Sequence, residues 1–269
     1  MELKGHDIND LIYLMQRLRD RETGCPWDLQ QTFSSIVPHT VEEVFEVVDA
    51  IERNDWPNLQ EELGDLLFQI IFYSQLGSEE AYFDWSDVVN DIVSKLLRRH
   101  PHVFPDGTLN SKPLPGETMD EDTVIANWER IKASEKAEKD EDSPGIASRF
   151  EDIPHALPAL LRAQKIQQKA ASSGFDWAEV TPVIAKVREE VSELEQALKD
   201  SADQNHLQEE MGDLLFSCVN LSRFLALDPE TSLRGANQKF EYRFNRMEAI
   251  VRETGATLGD IGLVEMDRI

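Results

Sequence analysis

Apolar positions along the chain recur with the period of a helix almost throughout. Ile8, Leu11, Ile12, Met15 and Leu18 mark a first amphipathic helix over residues 7–20, followed by turn residues Gly24, Cys25 and Pro26 beside Trp27. Further helices are predicted from about Val37 to Arg53, from Pro57 to about Gln75, from Trp85 to Arg99, and over residues 121–139 around Val124, Ile125, Trp128 and Ile131. Residues 101–120, rich in Pro and Gly, read as a loop or lid. The helix opened by Pro57 carries Leu66, Leu67, Phe68, Ile70, Ile71 and Phe72, so little polar circumference is left. Such a helix is expected to be buried from more than one side, as at a subunit interface or domain contact.

The pattern lapses in KAEKDEDSPGIASRFEDIP and resumes after it. A helix is predicted over Leu157–Ser172, another after the Thr181-Pro182 pair, a third through Leu207, Met211, Leu214, Cys218 and Leu221, and a last one from Pro229 to about Thr254. In the helix that follows Thr181-Pro182, the predicted buried stripe is Val183, Val187, Val191, Leu194 and Leu198. The tail after Gly255 is expected to be irregular or short helix. No stretch alternates in the manner of a strand, so the fold class is all-α, a tandem of helical bundles. The division falls into residues 1–140, a linker at 141–154, and 155–269.

The polar positions beside these stripes carry the chemistry. Lys186, Glu189, Glu190 and Glu193 lie on one side of their helix, with Glu190 nearest the apolar face, and Glu210 and Asp213 share one flank of the next. A hairpin of the two would bring these carboxylates together. Most Glu-rich helix faces are simply solvated. This one is repeated: Glu42, Glu43 and Glu46, then Glu62 and Asp65, give the same EExxE…ExxD pattern, and EELGDLLF returns as EEMGDLLF. Lys95 and Arg99 stand to the first copy much as Lys239 and Arg243 stand to the second, and a Trp-Asp pair precedes each copy, as Trp27-Asp28 and Asp176-Trp177. Carboxylates gathered without His or Cys suit a hard cation, Mg²⁺ or Mn²⁺, that also takes phosphate oxygens.

Composition narrows the partners. The 269 residues carry 52 acidic against 27 basic side chains, a formal charge of −25, which opposes binding to a nucleic acid polymer. No run is long and apolar enough for a membrane and no leader precedes the first helix, so the expected compartment is the cytoplasm. Cys25 and Cys218 lie far apart without metal spacing, and Walker A, GxGxxG, HExxH and GxSxG motifs are missing. A di-iron carboxylate bundle would need ExxH on two helices, and neither copy has it.

The tandem EExxE…ExxD, with GCPWDLQQT, KLLRRHPHVF and GFDW…KVREEVSEL, resembles the MazG nucleoside triphosphate pyrophosphohydrolases in their two-domain form, over nearly the whole chain. The resemblance implies an all-α homodimer that uses Mg²⁺ to hydrolyse nucleoside triphosphates to the monophosphate and pyrophosphate. On that reading Glu190, Glu193, Glu210 and Asp213 hold the metal, and Glu189 is an additional ligand or the base for the attacking water. Lys186, Lys239 and Arg243 contact phosphate oxygens and Trp177 the nucleotide. Glu43, Glu46, Glu62 and Asp65 form a second candidate metal site. Family members commonly continue into a Trp-bearing tail past the segment matching LVEMDRI, so at Ile269 a base contact falls to Trp177 or another residue. Lys186 corresponds to His39 in the first copy, which carries less charge at neutral pH, so the second domain is expected to do most of the turnover. The rival reading is a catalytically weak acidic dimer serving as a nucleotide-binding or protein-interaction scaffold.

Overall fold

The computed structural model describes residues 5–114, 116, 119–141, 149–201 and 203–269, and helices without strands account for their regular structure. In order these are α1 (Ile8–Leu18), α2 (Pro26–Gln30), α3 (Phe33–Glu52), α4 (Trp56–Glu79), α5 (Trp85–Arg99), α6 (Glu121–Glu141), α7 (Ala159–Ala171), α8 (Val180–Lys199), α9 (Gln204–Phe224), α10 (Pro229–Glu253) and α11 (Leu263–Arg268), with a 3₁₀ turn at Leu258–Asp260. The chain divides into two compact units, Met1–Pro144 and Gly145–Ile269. Of the expected linker, residues 142–148 lie outside the described residues.

Helix starts follow local capping chemistry. Asp7, Thr32 and Asp84 each close a reciprocal capping box, with Asp10, Ser35 and Asp87 respectively, at α1, α3 and α5. Asp55, Asp203 and Asp228 cap α4, α9 and α10 by accepting from a backbone N–H. Both acidic helices end at a left-handed residue, Asn54 (φ 56°) after α3 and Ser201 (φ 54°) after α8, and each chain reversal leads into the partner helix.

Several boundaries differ from expectation, and α4 runs on past Gln75 to Glu79. The first acidic helix begins at Phe33, ahead of Val37, because Thr32 supplies the cap and Pro38 is tolerated one turn inside. The segment around Trp27 is a short helix with Pro26 at its first position. Thr181-Pro182 does not cap α8; the cap position is Glu179, without a side-chain bond, and the pair sits within the first turn.

In the first unit α3 packs on α4, and α1 and α5 also pack against α4. Met15, Ile36, Ile71, Phe72 and Leu76 make its buried core, with Phe33, Phe68 and Trp85 against it. Arg19 is buried beside Phe72, 5.4 Å from its ring, and donates two bonds to Glu79 at 2.8 and 2.6 Å. Burial of that guanidinium is offset by the bidentate pair. In the second unit α8 packs on α9, and α7 and α10 contact α9. Ile36 and Ala50 of α3 are buried, and so are Val183 and Ala197 at the matching places of α8. The repeated letters therefore mark a repeated hairpin.

Candidate active site

The acidic residues of the second copy stand in the seam between α8 and α9, and the expected stripes are corrected accordingly. Along α8 the buried residues are Val183, Glu190 and Ala197, with Val187 and Leu194 half-buried; Val191 and Leu198 are 41% and 60% exposed. On α9 the inward register is Leu207, Glu210, Leu214, Ser217 and Asn220, while Met211 and Cys218 are exposed. Both helices are rotated from the most apolar arc toward the carboxylates. The rotation is physically tolerable because Glu190, only 4% exposed, receives Lys186 Nζ at 2.8 Å, one turn away on its own helix.

Carboxylate oxygens of Glu190, Glu193 and Glu210 lie within 4.8 Å of one another. Lys186 also reaches Glu189 at 2.7 Å, and hydrogen bonds to Glu189 and then Glu190 hold its ammonium above the ordinary lysine range. The Glu193 carboxyl is pushed up, first by the loss of surrounding water and then by the Glu190 charge. Glu210 sits 3.7 Å from Nε2 of His206, one turn earlier on the same helix. Asp213 is exposed and stands outside the triad, but it lines the cavity beside Glu190. Such a set of oxygen donors, negatively charged and mutually repelling, fits a hard divalent cation, and the Lys186 ammonium supplies part of the missing positive charge.

The first copy repeats the cluster with different members. Glu43, Glu62 and Asp65 have carboxylate oxygens within 4.8 Å of each other. Glu46 lies outside this triad yet acts on it. Loss of water raises the Glu43 carboxyl first, followed by the charges of Asp65 and Glu46; Glu62 is raised by loss of water and then by Glu46 and Asp65. Where the second copy has Lys186, His39 lies with Nδ1 4.0 Å from Glu42 and its ring 5.9 Å from that of Trp27, edge on.

A cavity of about 550 Å³ opens from the second cluster, lined by Lys186, Glu190 and Asp213 together with Phe175, Trp177, Phe216 and further residues of α7 and α9. The structure thus brings Lys186 and Trp177 to the acidic residues. Lys239 and Arg243 are exposed on α10, outside this cavity, and among the described residues they make no ion pair with the cluster.

Four polar residues of the cavity escape a motif search: Gln167, Ser217, Asn220 and Arg223. Asp176 grips Arg223 through bonds of 2.9 and 2.6 Å, and this pair holds the Asp176 carboxyl below the usual range. The available signal was a comparison of the copies, since Ser217 and Asn220 replace Gln69 and Phe72 in otherwise matching helices. Asp176→Asn is expected to destabilise the protein by about 1–2 kcal/mol, less than a fully buried pair because both partners retain some solvent. Thermal unfolding followed by circular dichroism measures this.

Comparison with known proteins places these residues in a family. The profile described as the MazG nucleotide pyrophosphohydrolase domain matches twice, at residues 31–104 and 179–247, and so spans both acidic hairpins. The chain is 47% identical over 265 residues to the nucleoside triphosphate pyrophosphohydrolase of Escherichia coli K12, covering 98% of this chain and 95% of that one. It is 40% identical over 267 residues to the nucleoside triphosphate pyrophosphohydrolase/pyrophosphatase MazG of Thermotoga maritima, covering 99% and 95%. A crystal structure of a MazG-related protein from Thermotoga maritima aligns at 22% identity and a TM-score of 0.38, over 47% of this chain and 99% of that one, a likeness too weak to argue from.

Proposed function

We propose, for a chain that belongs to the MazG nucleotide pyrophosphohydrolase family, that it hydrolyses nucleoside triphosphates to the monophosphate and pyrophosphate with the acidic hairpin of the second domain as its principal working site. The observation that carries the assignment is the meeting of Glu190, Glu193 and Glu210 beside a cavity that also contains Lys186 and Asp213.

Glu190, Glu193, Glu210 and Asp213 are the residues that would hold Mg²⁺, with Mn²⁺ as the alternative. When bound, this ion neutralises triphosphate charge and acidifies a coordinated water. Lys186 is positioned to move from its carboxylate partners to a phosphate oxygen, since its Nζ already points at the cluster. Glu189 is exposed and accepts only from Lys186 among the described residues, so release of that lysine to substrate frees a carboxylate to accept a proton from water. Lys239 and Arg243, long and solvent-exposed on α10, are assigned to the outer phosphates. Cleavage between the α- and β-phosphates follows from the family's reaction.

The first domain keeps its own carboxylate triad but has His39 where the second has Lys186, with Nδ1 4.0 Å from Glu42 outside that triad, so it lacks the lysine that would hold a polyanion there. Incubation of the protein with each nucleoside triphosphate and Mg²⁺, followed by chromatography, tests the reaction. Monophosphate and pyrophosphate are expected; diphosphate and phosphate would overturn the bond assignment.

Dimerisation is supported by an apolar face left on the first hairpin. Val37, Val41 and Val44 are exposed on α3, as are Leu63 and Ile70 on α4. Val41→Glu is expected to shift the protein from dimer to monomer in sedimentation at micromolar concentration while its helix content is retained. No helix among the described residues is long and apolar enough to cross a membrane.

A further inference from the structure

We infer that Arg98 and Arg99 form an oxyanion site of the first domain for a phosphate chain, and that Glu135 of α6 is its resting occupant, which the ligand must displace. The inference rests on the triphosphate reading above and concerns the domain to which that reading gives the smaller share of turnover.

Two elements build the contact. α5 ends on Arg98 and Arg99, and α6 packs chiefly on α5 and lays Glu135 against both. Glu135 Oε1 accepts from Arg98 Nε and Nη2 at 3.3 and 3.2 Å, and Oε2 accepts from Arg99 Nε and Nη2 at 3.0 and 2.5 Å. Each guanidinium thus turns its fork of donors to one carboxylate oxygen, and the same fork takes a phosphate oxygen. Hydrogen bonds from Arg99, and then from Arg98, hold the Glu135 carboxyl below the usual range, against the loss of water that would raise it.

The charges at this contact do not balance. Two cations share one carboxylate, and Arg98 and Arg99 have no other carboxylate partner among the described residues. Lys95, one turn before Arg99 on α5, is exposed and makes no ion pair among the described residues, whereas Lys132 on α6 is matched by Glu129 at 3.4 Å. In a chain of formal charge −25, such a local surplus of positive charge suits an anion that carries more than one charge better than it suits a single carboxylate.

α6 is also held in a way that permits release. None of its described side chains is fully buried, and Trp128, half-buried, meets Arg99 with the guanidinium 5.8 Å from its ring. A segment with few buried apolar contacts opens at low cost in free energy. The second domain has no such occupant. Arg243, which stands to its copy much as Arg99 stands to the first, makes no ion pair among the described residues, and on α11 the carboxylate of Glu265 is taken by Arg268 of the same helix. The copies therefore differ at α6 as well as at His39.

Calorimetry with inorganic tripolyphosphate and Mg²⁺ tests this in the full chain, with Glu190→Gln present throughout so that the second domain contributes alike to every sample. Glu135→Gln is expected to tighten binding about tenfold, the scale of one hydrogen bond to a charged group. Adding Arg99→Ala should remove the gain. Unchanged or weaker binding in Glu135→Gln overturns the inference, and so does a gain that survives Arg99→Ala, which would reflect overall charge alone. Should Glu135→Gln fail to fold by circular dichroism, hydrogen exchange of the unsubstituted chain decides. Amides of residues 121–135 should then exchange faster with tripolyphosphate bound, and unchanged or slower exchange overturns the inference. Turnover is scored apart: wild-type protein that yields no monophosphate from any nucleoside triphosphate overturns the reaction and leaves the tripolyphosphate result standing.

Discussion

Glu190→Gln is expected to lower pyrophosphate release by about two to three orders of magnitude, the scale on which one preorganised group at a reacting phosphate is felt. The substitution keeps the shape of a side chain that is only 4% exposed, so the packing around Val183 and Ala197 survives. What it removes is a charge from the centre of a triad whose oxygens lie within 4.8 Å of each other. A neutral amide oxygen is a weaker ligand for a hard cation, and Lys186 keeps an ion pair with Glu189 alone. Steady-state pyrophosphate assays beside circular dichroism separate lost chemistry from lost structure.

The second large effect is a linkage between cation, pH and stability. At neutral pH a saturating divalent cation, at about 100 times its dissociation constant, should stabilise the protein by about 2.7 kcal/mol. The signs follow from the raised carboxyls of Glu193, Glu43 and Glu62. A carboxyl raised on folding binds more protons in the native state than in the unfolded chain. Without metal, therefore, its contribution to stability is complete below the unfolded value of about 4.3 and is lost as pH rises through the folded value. Cation binding needs these groups ionised, so its stabilisation grows over the same interval and vanishes in acid. Melting curves with and without Mg²⁺ at pH 7 and at about pH 4 measure the difference. A shift that is equal at both pH values, or that persists in Glu190→Gln, would assign the stabilisation to some other site.

Much of this was legible in the chain because periodicity and repetition report on different things. The period of the apolar positions gave helices whose ends fell close to those observed, as at Trp85–Arg99. Repetition of EExxE and ExxD exposed the candidate ligands, since a merely solvated face has no cause to recur with its neighbours. Periodicity failed at the rotation of α8 and α9. Counting apolar residues placed Val191 and Leu198 inside and Glu190 at the margin, whereas the helix turns the other way, because a buried glutamate with a lysine partner is cheaper than the pattern alone implies. Ser217 and Asn220 were passed over for a related reason: single polar residues inside an apolar helix carry no motif, and their meaning comes from what faces them across the cavity. The positions of Lys239 and Arg243 relative to the cluster depend on how α10 is laid against α7 and α9, which sequence spacing does not encode.

The most direct measurement compares Glu190→Gln with Glu43→Gln, made separately in the full chain, by monophosphate and pyrophosphate release from the preferred nucleoside triphosphate in Mg²⁺. If the second hairpin is the working site, Glu190→Gln abolishes most of the turnover and Glu43→Gln leaves most of it. Loss of turnover in Glu43→Gln, with Glu190→Gln retaining it, would contradict the assignment and move the active site to the first domain.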